Sequence, residues 1–134
     1  MALAAPEVQF CFSEAKLGLI PAVISPYILE TLGLKRTKRL FLSAETFNSQ
    51  QALSWGLIDD IILPHDLEET AYAYIKHWLA HDPMTLACIK QWVHEIKAEP
   101  IQSSLIKKTA AKLAEVRLSP SAKTRLDAFI TAKK

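Results

Sequence analysis

From Asp66 to its C-terminus the chain repeats one arrangement, a helix-starting residue followed by apolar residues three and four apart. Asp66 stands as an N-cap with Glu69 at the third helical position, ahead of a face made by Leu67, Ala71, Tyr74, Ile75, Trp78 and Leu79. Asp82-Pro83 supplies a cap and a proline at the first helical position, ahead of Cys88, Ile89, Trp92, Val93 and Ile96. Pro100 is predicted to open a third helix, with Leu105, Ile106, Leu113 and Val116 inward. Ser119-Pro120 starts a last one carrying Leu126, Phe129 and Ile130. Apolar stripes on consecutive helices must be covered by one another, by a part outside this sequence, or by another subunit. The fold class read from this pattern is mostly α with two short strands, residues 1–63 being mixed and residues 64–134 helical.

The mixed part alternates differently. Val8, Phe10 and Phe12 fall on one face of a strand predicted over Val8–Ser13, and Gln9, Cys11 and Ser13 on the other. Gly18 and Pro21 punctuate a turn, and Ala22–Leu32 reads as a helix with Gly33 at its C′ position. A second helix over Leu34–Leu42 carries Lys35, Arg36, Lys38 and Arg39, a set read as a solvated face rather than a phosphate site. Asn48 with Gln51 forms a capping pair for a helix that Gly56 stops, and Leu57–Leu63 reads as a short strand closed by Pro64.

Glu14 follows the first strand on the parity of its apolar face. A carboxylate on an inward face loses hydration, which favours the protonated form that a general acid needs. The competing reading ends the strand at Ser13 and turns Glu14 out to solvent, as most glutamates are. His77 and His81, four apart on one helix, have the spacing of a metal pair, but no third ligand accompanies them and no metal or cofactor is expected.

The 134 residues suit one domain, and a net charge of +2 is too near neutrality to call for nucleic acid or a membrane surface. No run approaches the ~20 apolar residues of a membrane helix. The first residues, Met1 to Pro6, lack a positively charged leader, and the two cysteines, Cys11 and Cys88, read as buried thiols. A reduced, cytoplasmic setting is the expectation. The chain enters an apolar strand almost at once, as expected of a chain that begins inside a larger domain.

The ordered set Phe10-x-x-x-Glu14-x-x-x-Gly18-x-Ile20-Pro21, Leu40-Phe41-Leu42-Ser43-Ala44-Glu45 and Ala52-Leu53-x-x-Gly56-Leu57-Ile58 resembles the enoyl-CoA hydratase/isomerase (crotonase) superfamily. The turn Ala22-Val23-Ile24-Ser25-Pro26 looks like the branch of methylglutaconyl-CoA hydratase-like proteins. The segment Leu126 to Ile130 resembles the family's C-terminal end. The resemblance implies the C-terminal half of an α/β ββα-spiral fold: residues 1–63 as part of its core, and residues 64–134 as a helical oligomerisation region of a trimer or hexamer. It implies an acyl-CoA substrate, coenzyme A being part of the substrate and not a cofactor. Glu14 matches the carboxylate that exchanges a proton with the α-carbon. Leu19, Pro21 and Ala22 match substrate-side positions, and Phe129 and Lys133 match positions that meet coenzyme A. The family's second catalytic glutamate, its thioester-oxygen donors and most of its coenzyme A surface precede the matched half, so a complementing N-terminal polypeptide is an expected partner. Three departures stand out. Ala22 replaces the usual glycine, Thr124-Arg125 stands where an acidic residue and glycine are common, and Ala132 replaces a lysine that the adjacent Lys133 can substitute.

Overall fold

In the computed structural model, which describes residues 1–131, two short ladders hold the first part of the chain together. Strand β1 (Leu3–Ala4) lies parallel to β4 (Asp60–Ile61), with Leu3 opposite Asp60 and Ala4 opposite Ile61. The Ala2 and Ala4 carbonyls accept the Asp59 and Ile62 N–H groups at 2.8 and 3.0 Å, extending that pairing by a residue at each end. Strand β2 (Gln9–Phe10) runs antiparallel to β3 (Phe47–Asn48), with Phe10 opposite Phe47. The strand expected over Val8–Ser13 is therefore regular only at Gln9–Phe10, and the one over Leu57–Leu63 only at Asp60–Ile61. β1 and β3 were not expected at all. Two-residue strands exist only through their partners, and a sequence window does not contain the partner.

Helix α1 spans Ser25–Ser43, starting three residues after the expected Ala22. The Ala22 N–H donates to the Ile20 carbonyl at 2.8 Å, a tight turn about Pro21 that is incompatible with a helix there. The Ser25 hydroxyl and N–H both reach the Pro21 carbonyl, at 2.6 and 3.1 Å, and the helix starts from that point. Gly33, with φ 71° and ψ 165°, breaks α1 into the two expected pieces. The Thr37 hydroxyl donates across the break to the Ile28 carbonyl at 3.3 Å, tying the two pieces together.

Helix α2 (Ser49–Ser54) has the expected reciprocal cap: the Asn48 side chain accepts the Gln51 N–H at 2.9 Å, and the Gln51 side chain accepts the Asn48 N–H at 3.0 Å. Ser49, almost fully buried, donates its hydroxyl between the Ala5 and Val8 carbonyls at 2.7 and 3.1 Å. The core comprises Ala4, Leu32, Leu40, Phe47, Ala52 and Ile58, with Val8, Phe10 and Phe12 packed against it. Phe47 is its hub: Phe10 stacks on it at 5.4 Å between centroids, and Trp55 and Phe12 lie at 5.1 and 5.9 Å.

Helices α3 (Leu67–Leu79), α4 (Pro83–Ile96), α5 (Ser103–Arg117) and α6 (Pro120–Thr131) follow. α5 begins at Ser103 rather than at the expected Pro100. Residue contacts group the chain into two compact units, Met1–Lys76 and His77 onward, whereas the sequence reading divides it at residues 63 and 64. Within the second unit Asp82 caps α4 by accepting the Thr85 N–H and hydroxyl at 2.8 and 2.7 Å. Lys108 of α5 pairs with Glu95 at 2.9 Å and with Glu99, its ammonium 5.7 Å from the centre of the Trp92 ring. The Arg125 guanidinium donates to the Ala80 carbonyl at 3.4 Å.

Leu105 is buried as expected, but Ile106 and Leu113, expected inward beside it, are exposed. Ile89, Val93, Leu126, Phe129 and Ile130 are exposed too. The helical period was read correctly, while burial depends on what covers the face. No helix among the described residues is long and apolar enough to cross a membrane.

Candidate functional site

The strand alternation continues past the end of β2. Val8, Phe10, Phe12 and Glu14 are half-buried, while Gln9, Cys11 and Ser13 are exposed. Glu14 thus keeps the parity of the aromatic face, although regular pairing has already stopped. Phe12, two residues before it, is held edge-on to Phe41 at 5.1 Å and against Phe47. Those contacts fix the backbone from which Glu14 springs. At Glu14 the chain winds into a single 3-10 turn, Glu14–Leu17, closed by Gly18 in the left-handed region at φ 71°. The Glu14 carbonyl accepts the Leu19 N–H at 3.0 Å, so the backbone of Glu14 is committed to the turn. Among the described residues, no group hydrogen-bonds or ion-pairs with its carboxylate. The half-buried Glu14 side chain thus takes no part in holding the fold through a hydrogen bond or ion pair.

Glu14, Leu19, Pro21 and Ala22 lie on one continuous turn. Pro21 is buried. Leu19 and Ile20 are 61% and 79% exposed, and Leu17 and Val23 project beside them at 72% and 85%. The Ala22 N–H, which a helix starting at that residue would have left free, is taken by Ile20. The turn therefore offers one carboxylate and an apolar rim. Phe129 lies in α6 of the second unit and is exposed; Lys133 is outside the described residues.

Along the Phe-rich segment runs an open apolar groove of about 490 Å³, lined by Ala4, Val8, Phe10, Cys11, Phe12 and Ile28 among others. Cys11 contributes to its wall and is exposed, not the buried thiol expected. It stands on the odd-numbered face of the strand, opposite the phenylalanines. Its thiol donates to the Ala44 carbonyl at 3.2 Å, and the Lys16 ammonium approaches the sulfur at 3.8 Å. Sequence reasoning did not single out this pair. The available signal was a thiol five residues before an amine, with a tight turn between them. Cys88 is half-buried.

The His77 and His81 rings meet edge-on with centroids 5.5 Å apart. Among the described residues, no group of three or more His, Cys, Asp or Glu side chains is placed to hold a metal ion. In the basic stretch of α1, Arg36 lies over the Trp55 ring at 4.9 Å and Arg39 pairs with Glu45 at 2.8 Å, so two of its four cations are engaged within the fold.

A family model described as enoyl-CoA hydratase/isomerase matches residues 1–130. A probable enoyl-CoA hydratase from Mycobacterium tuberculosis is 32% identical over 90 residues, 66% of this chain and 34% of the relative. A 1,2-epoxyphenylacetyl-CoA isomerase from Escherichia coli is 27% identical over 104 residues, 77% of this chain and 40% of the relative. The crystal structure of an enoyl-CoA hydratase from Shewanella pealeana superimposes with a TM-score of 0.90 at 35% identity, covering 98% of this chain and 49% of that one. The chain thus spans about a third of the length of the first of these curated relatives and about half of the solved structure.

Proposed function

The chain belongs to the enoyl-CoA hydratase/isomerase family, and we propose that it serves the addition of water across the 2,3-double bond of an enoyl-CoA thioester, with Glu14 exchanging a proton at the α-carbon. The observation that carries this reading is the Glu14 carboxylate itself. It is half-buried on the phenylalanine parity, springs from a turn fixed on both sides, and is without a partner among the described residues. A general acid must keep its oxygens for the substrate and spring from a fixed backbone, and the unpaired carboxylate on the Glu14–Leu17 turn supports the reading. The apolar rim of Leu17, Leu19, Ile20 and Val23 suits the hydrocarbon of an acyl chain better than a charged substrate.

Hydration of this kind also needs donors for the thioester oxygen and, in the resembling enzymes, a second carboxylate on the water. Losing a single oxyanion donor costs about 10²–10³ in rate, so one carboxylate alone gives little turnover. We therefore place the rest of the site on a complementing N-terminal polypeptide corresponding to the other half of the solved relatives. The turn Ala22-Val23-Ile24-Ser25-Pro26 favours a branched or carboxylated acyl group, the methylglutaconyl-CoA-like choice. The exposed stripes of α4–α6 favour assembly of several copies, a trimer or a hexamer. They also support a second reading, in which the chain is a non-catalytic assembly module. The Escherichia coli relative keeps isomerisation open as a sibling reaction.

The test is a crotonyl-CoA hydration assay followed by loss of enoyl absorbance. The purified 134-residue chain is expected to show little or no turnover, and addition of the N-terminal half of a solved relative is expected to restore it. Rapid hydration by the chain alone overturns the shared-site reading. Persistent inactivity of the reconstituted pair favours the assembly module.

A further inference from the structure

We propose that Cys11 and Lys16 form an acyl-relay pair, in which the thiol captures an acyl group from a thioester and passes it to the Lys16 amine, making Lys16 a self-acylation site. Three observations support the pair. Both side chains are exposed. The Lys16 Nζ lies 3.8 Å from the Cys11 Sγ. In its resting thiol form the sulfur is held in place by donating its hydrogen to the Ala44 carbonyl at 3.2 Å. The source of the acyl group rests on the function proposed above, since Lys16 lies on the same 3-10 turn as Glu14 and an acyl-CoA drawn to that carboxylate comes beside that turn.

The chemistry balances without a further reactant. The deprotonated Cys11 sulfur attacks the thioester carbonyl carbon; a new sulfur–carbon bond forms and the bond to the coenzyme A sulfur breaks. Coenzyme A leaves with the electron pair and takes up a proton. The acyl carbon is then bonded to Cys11, within near-attack reach of an amine less than 4 Å from that sulfur. The neutral Lys16 nitrogen adds to this carbon, the bond to Cys11 breaks, the sulfur regains a proton and the nitrogen loses one. The net change is an amide at Lys16 and free coenzyme A. The second step runs downhill because an amide is more stable than a thioester. The first step is a thioester exchange that the second draws forward. Acylation removes the one cation of the Glu14–Leu17 turn and the contact between Lys16 and Cys11.

The experiment incubates the full chain with butyryl-CoA, a saturated thioester that cannot undergo conjugate addition, and in parallel with the butyryl thioester of N-acetylcysteamine, which lacks the nucleotide. Intact mass and peptide mapping then locate the label. The expected result is a hydroxylamine-resistant butyryl group on Lys16. Cys11→Ser is expected to lower Lys16 labelling at least about tenfold, because the amine loses its intramolecular donor. Lys16→Arg is expected to stop the reaction at a hydroxylamine-labile thioester on Cys11, a signature that a merely structural role for either residue does not produce. Equal Lys16 labelling in the wild type and Cys11→Ser overturns the relay, as does label spread evenly over the other lysines. The two probes separate this proposal from the function it builds on. Faster labelling by butyryl-CoA supports both, and equal labelling by the two probes keeps the relay while removing the coenzyme A reading. Preferential binding of butyryl-CoA without a Lys16 amide overturns the relay alone.

Discussion

Glu14 shows how far a single residue can be read from its neighbours. The alternation of Val8, Phe10 and Phe12 extends to it by parity alone, and its half-buried position follows from that parity even though the ladder ends at Phe10. Its role is tested by Glu14→Gln, which keeps the shape and removes the transferable proton. In any preparation with hydration activity, kcat is expected to fall about 10²–10⁴-fold with KM little changed; unchanged kcat removes Glu14 from the chemistry. A second residue-scale prediction concerns Asp82. The hydroxyl of Thr85 first, and its N–H second, hold the Asp82 carboxyl below its ordinary value of 3.8. A carboxylate depressed in the folded state contributes stability that is fully present above the unfolded value and lost as pH falls through the folded one. Asp82→Asn keeps a good cap but cannot titrate. Thermal melts are therefore expected to show a constant advantage of the wild type over Asp82→Asn above pH ~4, and that advantage is expected to shrink as pH falls below ~4. A constant difference across the range contradicts this account. What the sequence hid at this scale was the setting of the Cys11 thiol, because one of its two contacts, Ala44, is distant in the chain.

At the scale of elements, the legible features were those written in local chemistry. The Asn48–Gln51 box, the Asp82 cap, and the glycine stops at Gly33 and Gly56 all stand where local rules place them. The strands were legible only in part, since β1 and β3 are defined by partners more than thirty-five residues away. The start of α1 was misread because Pro21 makes its own tight turn with Ile20 and Ala22 before any helix begins. Gly33 provides the test of this local account. No atom stands within 4 Å of where its Cβ would be, so Gly33→Ala meets no clash. Its φ of 71° with ψ of 165° is nonetheless a region that belongs to glycine alone. The substitution is expected to cost about 1–3 kcal/mol, all of it backbone strain, measured as a lower urea midpoint with an unchanged slope. A neutral result would mean that the break in α1 relaxes into a continuous helix.

Across the whole molecule, core and surface are unevenly shared. The six residues of the main buried cluster all belong to the first unit. In the second, Leu79, Met84, Ile101, Ile106, Leu113 and Leu118 are each more than half exposed. Of these, sequence periodicity placed Leu79, Ile106 and Leu113 on apolar stripes and misjudged their burial, because a stripe states that a cover is needed without supplying it. Exposed apolar area on this scale is unfavourable in water, at roughly 25 cal/mol per Å², and association is the direct way to remove it. Sedimentation of the purified chain is therefore expected to give a mass above that of one copy, rising with concentration. Ile106→Lys with Leu113→Lys places two charges on α5 without touching the core around Leu40 and Phe47. The pair is expected to shift the mass to a single chain while leaving the helical circular dichroism unchanged. Because the changed positions are solvent-facing, loss of helix in the variant would show that this face is folded against something within the chain, and a wild-type mass of one copy at every concentration would show that the stripes remain wet.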